Sequence, residues 1–513
     1  MKKFILLFDT VKFLKPIQIY YRIFYLLRAR FRKVVGFHYP LSQISSSVDL
    51  NLQSSIYSYE SYMDGNEFSF LNLSKKFQDN IDWNYSRYGK LWTYNLNYFD
   101  FLNQERQYHF VAIIENFIDN QEEINDGFEP FPISLRAINW IKYLTYHNIK
   151  NKKIDDSLYA QYYRLEDNLE YHLLGNHLLE NAFSLLFGAY YFEDEKLYGR
   201  AKKILISELE EQILLDGAHF ELTPMYHQIM LFRVFDCINL IENNAWKNRE
   251  LLPLFKSKAE FMLGWLDNIS YQNGVIPLFN DSTNGIAPTT KELFDYAKRL
   301  ELGINQVDMK DSGYRKISKE NYELLIDIGN IGPDYIPGHA HSDTFNFELY
   351  INGKPFIVDT GLSTYETNER RTIERSTFSH NTVEVNGKNQ SEVWGGFRVG
   401  DRAKVINLIE TDNMIEATHD GYKKEKIFHT RKWYFEESKI IIEDRLSKIF
   451  NGVARLHFHP SVTKEYILKS LLISSDNIKF ETYQFAPSFN ITKSAIVLVI
   501  DFDTTLEVEI VCS

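Results

Sequence analysis

Cysteine is nearly absent from this chain. Its 513 residues hold only Cys237 and Cys512, far apart in the sequence. So few thiols exclude a disulfide framework and a cysteine-built zinc site, and the composition fits a reducing compartment. Long apolar runs are also lacking: no stretch reaches the roughly twenty apolar residues that cross a bilayer. The opening Met1-Lys2-Lys3-Phe4-Ile5-Leu6-Leu7-Phe8 starts like an export signal, but Asp9 and Lys12 interrupt it and no small-x-small cleavage pattern follows. The chain is therefore expected to stay uncleaved and cytoplasmic. An excess of positive charge is missing too. Lys and Arg total 57 against 69 Asp and Glu, a net charge of −12, which argues against nucleic acid as a partner. An acidic polymer would need a locally positive cleft. Fixed-period repeats and low-complexity tracts do not occur.

What is present is aromatic and unevenly charged. Hydrophobic residues make up 44% and aromatics 15%, with 33 Tyr and 38 Phe. That is enough for a large core and also for a groove that stacks on sugar rings. A chain this long is expected to split into two or three domains. Residues 1–35 hold nine Lys or Arg against one acid, Asp9, so the remainder carries 48 basic and 68 acidic side chains. The apolar positions Phe13, Ile17, Tyr20, Tyr21, Phe24, Leu26 and Leu27 recur at helical spacing. A basic, aromatic helix of this kind either lies on an anionic membrane surface as a peripheral contact or packs on the main body.

Along the chain, residues 1–90 read as this basic helix and an irregular preface. Residues 91–304 read as successive helices, expected at about 155–174, 177–192, 195–214, 226–244 and 251–270. Their periodicity allows an α/α toroid or another antiparallel array. Residues 305–513 are rich in strands, including 322–329, 439–444, 455–459 and 495–500, and read as a stacked antiparallel sheet domain. The expected class is α+β, with helices first and a β-sandwich-like domain after.

The chemistry concentrates between Gly338 and Gly396. Gly338-His339-Ala340-His341-Ser342-Asp343 precedes an alternating strand, Asn352-Gly353 turns it, and Pro355-Phe356-Ile357-Val358-Asp359 returns. Ser379-His380-Asn381-Thr382-Val383 starts a third strand. His341, Asp359 and His380, from three strand ends, could hold a divalent metal such as Zn²⁺ with open positions left; the alternative is histidines on a sheet edge. Two helical stretches add candidates. Asn176-His177-Leu178-Leu179-Glu180 gathers polar groups on one helix face or caps the helix. Thr223-Pro224-Met225-Tyr226-His227 opens a helix, where free N–H groups favour anions, or buries a core tyrosine.

These motifs, in this order, resemble the heparinase II/III family of polysaccharide lyases, with its Gly-His-x-His-x-Asp stretch, Val-Asp-x-Gly turn and His-Asn-Thr-Val strand. The likeness covers about residues 90–400 well and the ends poorly. It implies an incomplete α/α toroid before the sheet domain. It also implies β-elimination at a uronic acid in an acidic polysaccharide. By resemblance, Asn176 binds the uronate carboxylate, and Tyr226 and His339 share proton abstraction and leaving-group protonation. His177, Glu180 and His227 surround the substrate, and His341, Asp359 and His380 hold the metal. Two other classes stay open: a glycoside hydrolase, for which Glu180 with Glu221 or Asp281 would form the carboxylate pair, and a non-catalytic glycan-binding protein in surface-polysaccharide assembly.

Overall fold

The computed structural model describes residues 2–512. The basic start is two helices rather than one, α1 (Lys2–Val11) and α2 (Pro16–Val35). The break falls before Pro16, whose missing N–H is harmless in a first turn. The preface is more ordered than its polarity predicts. Tyr62–Met63, Glu67–Phe70 and Leu73–Lys76 make a small antiparallel sheet. Phe70 meets Trp92 of the helical region edge-on, ring centroids 5.3 Å apart.

Helices α3 (Lys90–Tyr98), α4 (Val111–Asn120), α5 (Pro130–Tyr146), α6 (Lys152–Asp167), α7 (Gly175–Phe192), α8 (Glu195–Gln212), α9 (Pro224–Asn243), α10 (Leu252–Ile269) and α11 (Thr290–Arg299) follow. They form the expected incomplete toroid. In α7 every residue but His177 and Phe192 is buried, so α7 is an inner helix, with α5 and α9 packed on either side. α6 and α8 expose one polar face and form part of the outer layer. α6 stops at Asp167, short of the predicted 174. The Asn181 side chain takes the Glu170 backbone N–H at 2.9 Å, and the chain turns back to begin α7 at Gly175.

The sheet half begins with an antiparallel meander of Tyr314–Ser318, Tyr322–Asp327, Phe347–Ile351 and Lys354–Ile357. A second four-stranded sheet orders Ile478–Ser488, Ile491–Phe502, Gly452–His457 and Val383–Val385. A six-stranded sheet spans Val405–Val511. All three contribute to one apolar core around Phe345, Phe347, Trp433, Leu456 and Leu498. The His380 strand differs from its sequence reading. His380 follows a 3-10 turn, Thr377–Ser379, and its strand begins only at Val383, in a different sheet from Phe347–Ile351. Arg431 joins the pieces. Its guanidinium pairs with buried Asp444 at 2.7 and 2.8 Å and donates to the carbonyls of Phe345 and Asn381 at 2.9 and 2.7 Å.

Candidate active site

A cleft of about 260 Å³ opens on the inner face of the toroid, with Tyr98, Phe131, Asn176, Glu180, Tyr226 and Tyr365 among its walls. Asn176 occupies the first turn of α7. The turn before it is left-handed, with φ +58° at Gly175, where an added Cβ would stand 2.9 Å from Glu221 Oε1. Glycine is needed there because Glu221 accepts the Asn176 backbone N–H at 3.0 Å. Tyr226 sits in the first turn of α9, held by the Met225 N–H on Ser282 Oγ at 3.2 Å. Its hydroxyl is 3.3 Å from that of Tyr365. Burial raises the Tyr226 phenol well above its ordinary value, more than the Tyr365 hydrogen bond lowers it, so the hydroxyl keeps its proton at neutral pH.

His339 comes from the sheet half and stacks on Tyr226, centroids 4.1 Å apart. Its Nδ1 faces Asp281 Oδ2 at 2.8 Å, and its Nε2 is 3.5 Å from Glu221 Oε2. His339 lies on Tyr226, Asn176 and Tyr226 line the same cleft, and Glu221 accepts the Asn176 backbone N–H while its other oxygen stands 3.5 Å from His339. Asp281 is the hub. Its second oxygen faces His341 Nε2 at 2.8 Å, and Arg371 holds the carboxylate with both terminal nitrogens, one at 2.7 Å. Burial opposes its charge, but Arg371 and the two histidines outweigh it and depress the carboxyl far below the usual range. A carboxylate so engaged has no oxygen left to act as a glycosidase acid, which removes Asp281 from the hydrolase pairing.

The surrounding candidates divide. Glu180 lines the cleft, with Oε1 3.1 Å from Arg233 Nε and Oε2 buried without a partner. His177 faces Glu170 Oε1 at 3.1 Å and packs at a tilt against Phe131, a cleft residue, with ring centroids 4.7 Å apart. His227 does not fulfil its expected part. It is fully buried, its Nε2 lies 3.0 Å from the Met262 carbonyl, its Nδ1 accepts the His219 N–H at 3.2 Å, and its ring packs on Trp265. Both nitrogens are committed to the core, and burial lowers the imidazole to about 3. Arg371 and Tyr365 were missed in the sequence, where they lie in a polar linker without periodicity.

His341, Asp359 and His380 are all fully buried and close together, the two imidazole centroids 5.2 Å apart. They differ from the expected ligand set in one respect. Asp359 Oδ2 is engaged by His380 Nδ1 at 2.7 Å and by the Asn346 amide at 2.6 Å, and Oδ1 accepts the Gly361 N–H at 3.0 Å. Among the described residues no three His, Cys, Asp or Glu side chains converge as a ready metal cage. Yet His341 Nδ1, His380 Nε2 and Asp343 Oδ2 are buried with no hydrogen-bond partner. Each such group costs about 1–3 kcal/mol if left unsatisfied. Burial lowers His341 to about 4, so its imidazole is neutral and free to donate a lone pair. Two imidazole nitrogens and a carboxylate oxygen, shut from water, are donor types a divalent cation accepts; burial opposes charge on His380, but Asp359 outweighs it and raises that imidazole, so a cation would have to displace its Nε2 proton.

Known proteins share this architecture. The chain is 24% identical over 319 residues to a heparin-sulfate lyase of Bacteroides stercoris, covering 56% of this chain and 46% of that protein. It spans less than half the length of the curated relatives it matches. In fold it is similar to the crystal structure of heparinase III, with a TM-score of 0.65, 16% identity and coverage of 89% of this chain and 82% of that one. It is likewise similar to a heparan sulfate lyase of Pedobacter heparinus, with a TM-score of 0.55, 15% identity and coverage of 87% and 81%. The family model for the heparinase II/III N-terminus matches residues 48–300, that for the heparinase II/III-like C-terminal region matches residues 303–505, and the chain belongs to the heparinase II/III family.

Proposed function

We propose that the protein is a polysaccharide lyase that cleaves a uronic-acid-containing acidic glycan by β-elimination. The observation that carries this reading is the stacking of Tyr226 on His339 beside Asn176. A protonated phenol, an imidazole and an amide are the groups elimination needs. The proton on C5 of a uronate becomes acidic only when the adjacent carboxylate is neutralised; the Asn176 amide does this by hydrogen bonding. His339, its Nδ1–H directed to Asp281, takes the C5 proton on Nε2. The C4–O4 bond breaks, a C4–C5 double bond forms, and Tyr226 passes its proton to the departing O4. Tyr226 is cast as the acid because His339, oriented through Nδ1 by the Asp281 carboxylate, is the one of the two arranged as a base. Relatives described as heparin-sulfate lyases support an acidic, glycosaminoglycan-like substrate, with the cleft's aromatic walls stacking on its rings.

The same reading includes a divalent cation, Zn²⁺ foremost, held by His341 and His380. Asp359 stands behind His380 as its hydrogen-bond partner, and Asp343 supplies the open carboxylate. When bound, it would supply fixed positive charge behind the His341–Asp281 contact and so rigidify the base.

The test is ultraviolet absorbance. The full chain is incubated with a panel of uronate polymers, and the unsaturated uronate of the new chain end is followed. Absorbance that rises with new reducing ends is the expected result. New reducing ends without absorbance would make the protein a hydrolase. Retained binding with neither would make it a glycan-binding protein.

A further inference from the structure

Helix α2 is mounted inside out. Its polar stripe faces the protein body: the Gln18 amide donates to the Leu173 carbonyl at 2.9 Å, the Tyr25 hydroxyl to Leu169 at 2.6 Å, and Arg28 to the Asp167 carbonyl at 2.6 Å. Arg32 pairs with the Asp167 carboxylate at 2.7 Å. The opposite side carries large apolar groups into solvent, with Ile23 55%, Leu27 56%, Phe31 65% and Val34 85% exposed. Phe8 of α1 adds to the exposed apolar surface at 67%. A soluble helix does the reverse and packs its apolar stripe inward. A contiguous apolar face of this kind marks a contact surface.

Charge identifies what covers it. α2 contains no acidic residue. Arg30 and Lys33 are exposed beside the apolar groups and form no ion pair among the described residues. The body beyond residue 35 is acidic, with 48 basic and 68 acidic side chains. A second copy docking α2 against α2 would bring two acid-free, basic helices together and repel. An anionic lipid surface accepts both features, apolar groups entering the acyl boundary and cations meeting headgroups. No described helix is long and apolar enough to cross a membrane, so the contact lies in the interface plane.

We propose that α1 and α2 form a strap that seats the protein on an anionic lipid bilayer. The strap touches both halves of the molecule. On the helical side α2 docks on residues 167–173, the turn that leads directly to Gly175 and Asn176. On the sheet side the Trp394 indole donates to Thr10 Oγ1 at 3.2 Å, and the Arg402 guanidinium lies 3.9 Å from the Phe13 ring centre. The strap thus contacts both halves of the molecule, and its seat on lipid goes beyond the elimination chemistry and does not depend on it.

The experiment is flotation of the full chain with phosphatidylglycerol–phosphatidylethanolamine vesicles and with phosphatidylcholine vesicles, alongside sedimentation analysis without lipid. Expected are flotation with the anionic vesicles only, weakening with salt, and a monomer without lipid. The double substitution Ile23→Glu and Leu27→Glu should cut vesicle binding on the order of tenfold or more, since both buried side chains and charge attraction contribute to such binding. Its melting temperature should be unchanged, because both side chains face solvent. Arg30→Gln with Lys33→Gln should lower binding to anionic vesicles while keeping the fold. Failure of the wild-type chain to float with anionic vesicles overturns the proposal. So does a lipid-free dimer that the Ile23→Glu, Leu27→Glu pair dissolves, for then a second copy covers the face.

Discussion

Tyr226 and His339 stack with ring centroids 4.1 Å apart although one opens a toroid helix and the other sits in the sheet half. The contact is where the two halves of the chain become one site. Removing only the Tyr226 hydroxyl tests the acid without disturbing the stack. Tyr226→Phe should lower turnover on the order of a hundredfold or more, the usual size of general acid–base catalysis. The melting temperature should stay near that of the wild type, and unchanged turnover would exclude Tyr226 as the acid.

Arg371 holds Asp281, and Asp281 holds both histidines. Arg371→Ala leaves a buried carboxylate whose main compensating charge is gone. Breaking a buried pair on one side costs about 3–5 kcal/mol, so denaturant unfolding should show a loss of that size. Arg371→Lys keeps the charge but not the two-pronged grip. It should recover part of the stability and little of the activity, because the His339 orientation depends on where the carboxylate points.

The parts of this site that could be read in the sequence are those made by local turns. His339 follows Gly338, His380 precedes Asn381, and His341 and Asp359 lie within three residues of Gly338 and Gly361; the structure gathers all four. The hub could not be read. Asp281 and Arg371 are 90 residues apart, and no periodicity connects a loop acid with a linker arginine. The helical half was legible in element type, since its apolar faces recur strongly, but not at the end of α6. There the Asn181 side chain, reaching from the next helix, stops the run. His227 was misread for a related reason. Its position near a helix start looks open in one dimension, but the Met262 carbonyl of α10 closes it in three.

Metal content tests the buried donor cluster. The purified chain should carry about one divalent ion per molecule if a single site binds. His380→Ala removes one of the two open imidazoles and should lower both the bound metal and the melting temperature. Chelation of the wild type should lower its melting temperature toward that of the variant. Full metal content in His380→Ala would place any ion elsewhere.

His177 offers a test by pH. Burial opposes its charge, but the Glu170 carboxylate outweighs burial and raises its pKa above 6.5. A group raised in the folded state adds stability that is full below its unfolded pKa and fades as pH rises through the folded value. The stability difference between wild type and His177→Gln should therefore be largest below about pH 6.5, the ordinary histidine value. It should shrink toward zero as the pH rises past the raised pKa. A difference that grows with pH would mean that the imidazole is neutral against Glu170.

Gly175 joins the fold to the chemistry most directly. Its φ of +58° lies in the left-handed region, and an alanine Cβ there would approach Glu221 Oε1 at 2.9 Å and Ile336 Cδ1 at 3.1 Å. The backbone conformation alone costs an L-residue about 1–2 kcal/mol. The carboxylate must also withdraw from the Asn176 N–H and from the neighbourhood of His339, because Glu221 is itself buried and cannot turn to solvent. Gly175→Ala should thus lower stability by at least that amount and lower turnover further, although alanine brings no charge and enters no substrate contact. Gly199→Ala is the control: that glycine lies in a helix, with no atom within 4 Å of an added Cβ. There alanine should raise stability by roughly 0.5–1 kcal/mol and leave turnover alone. Equal behaviour of the two variants would mean that Glu221 does not set the position of Asn176.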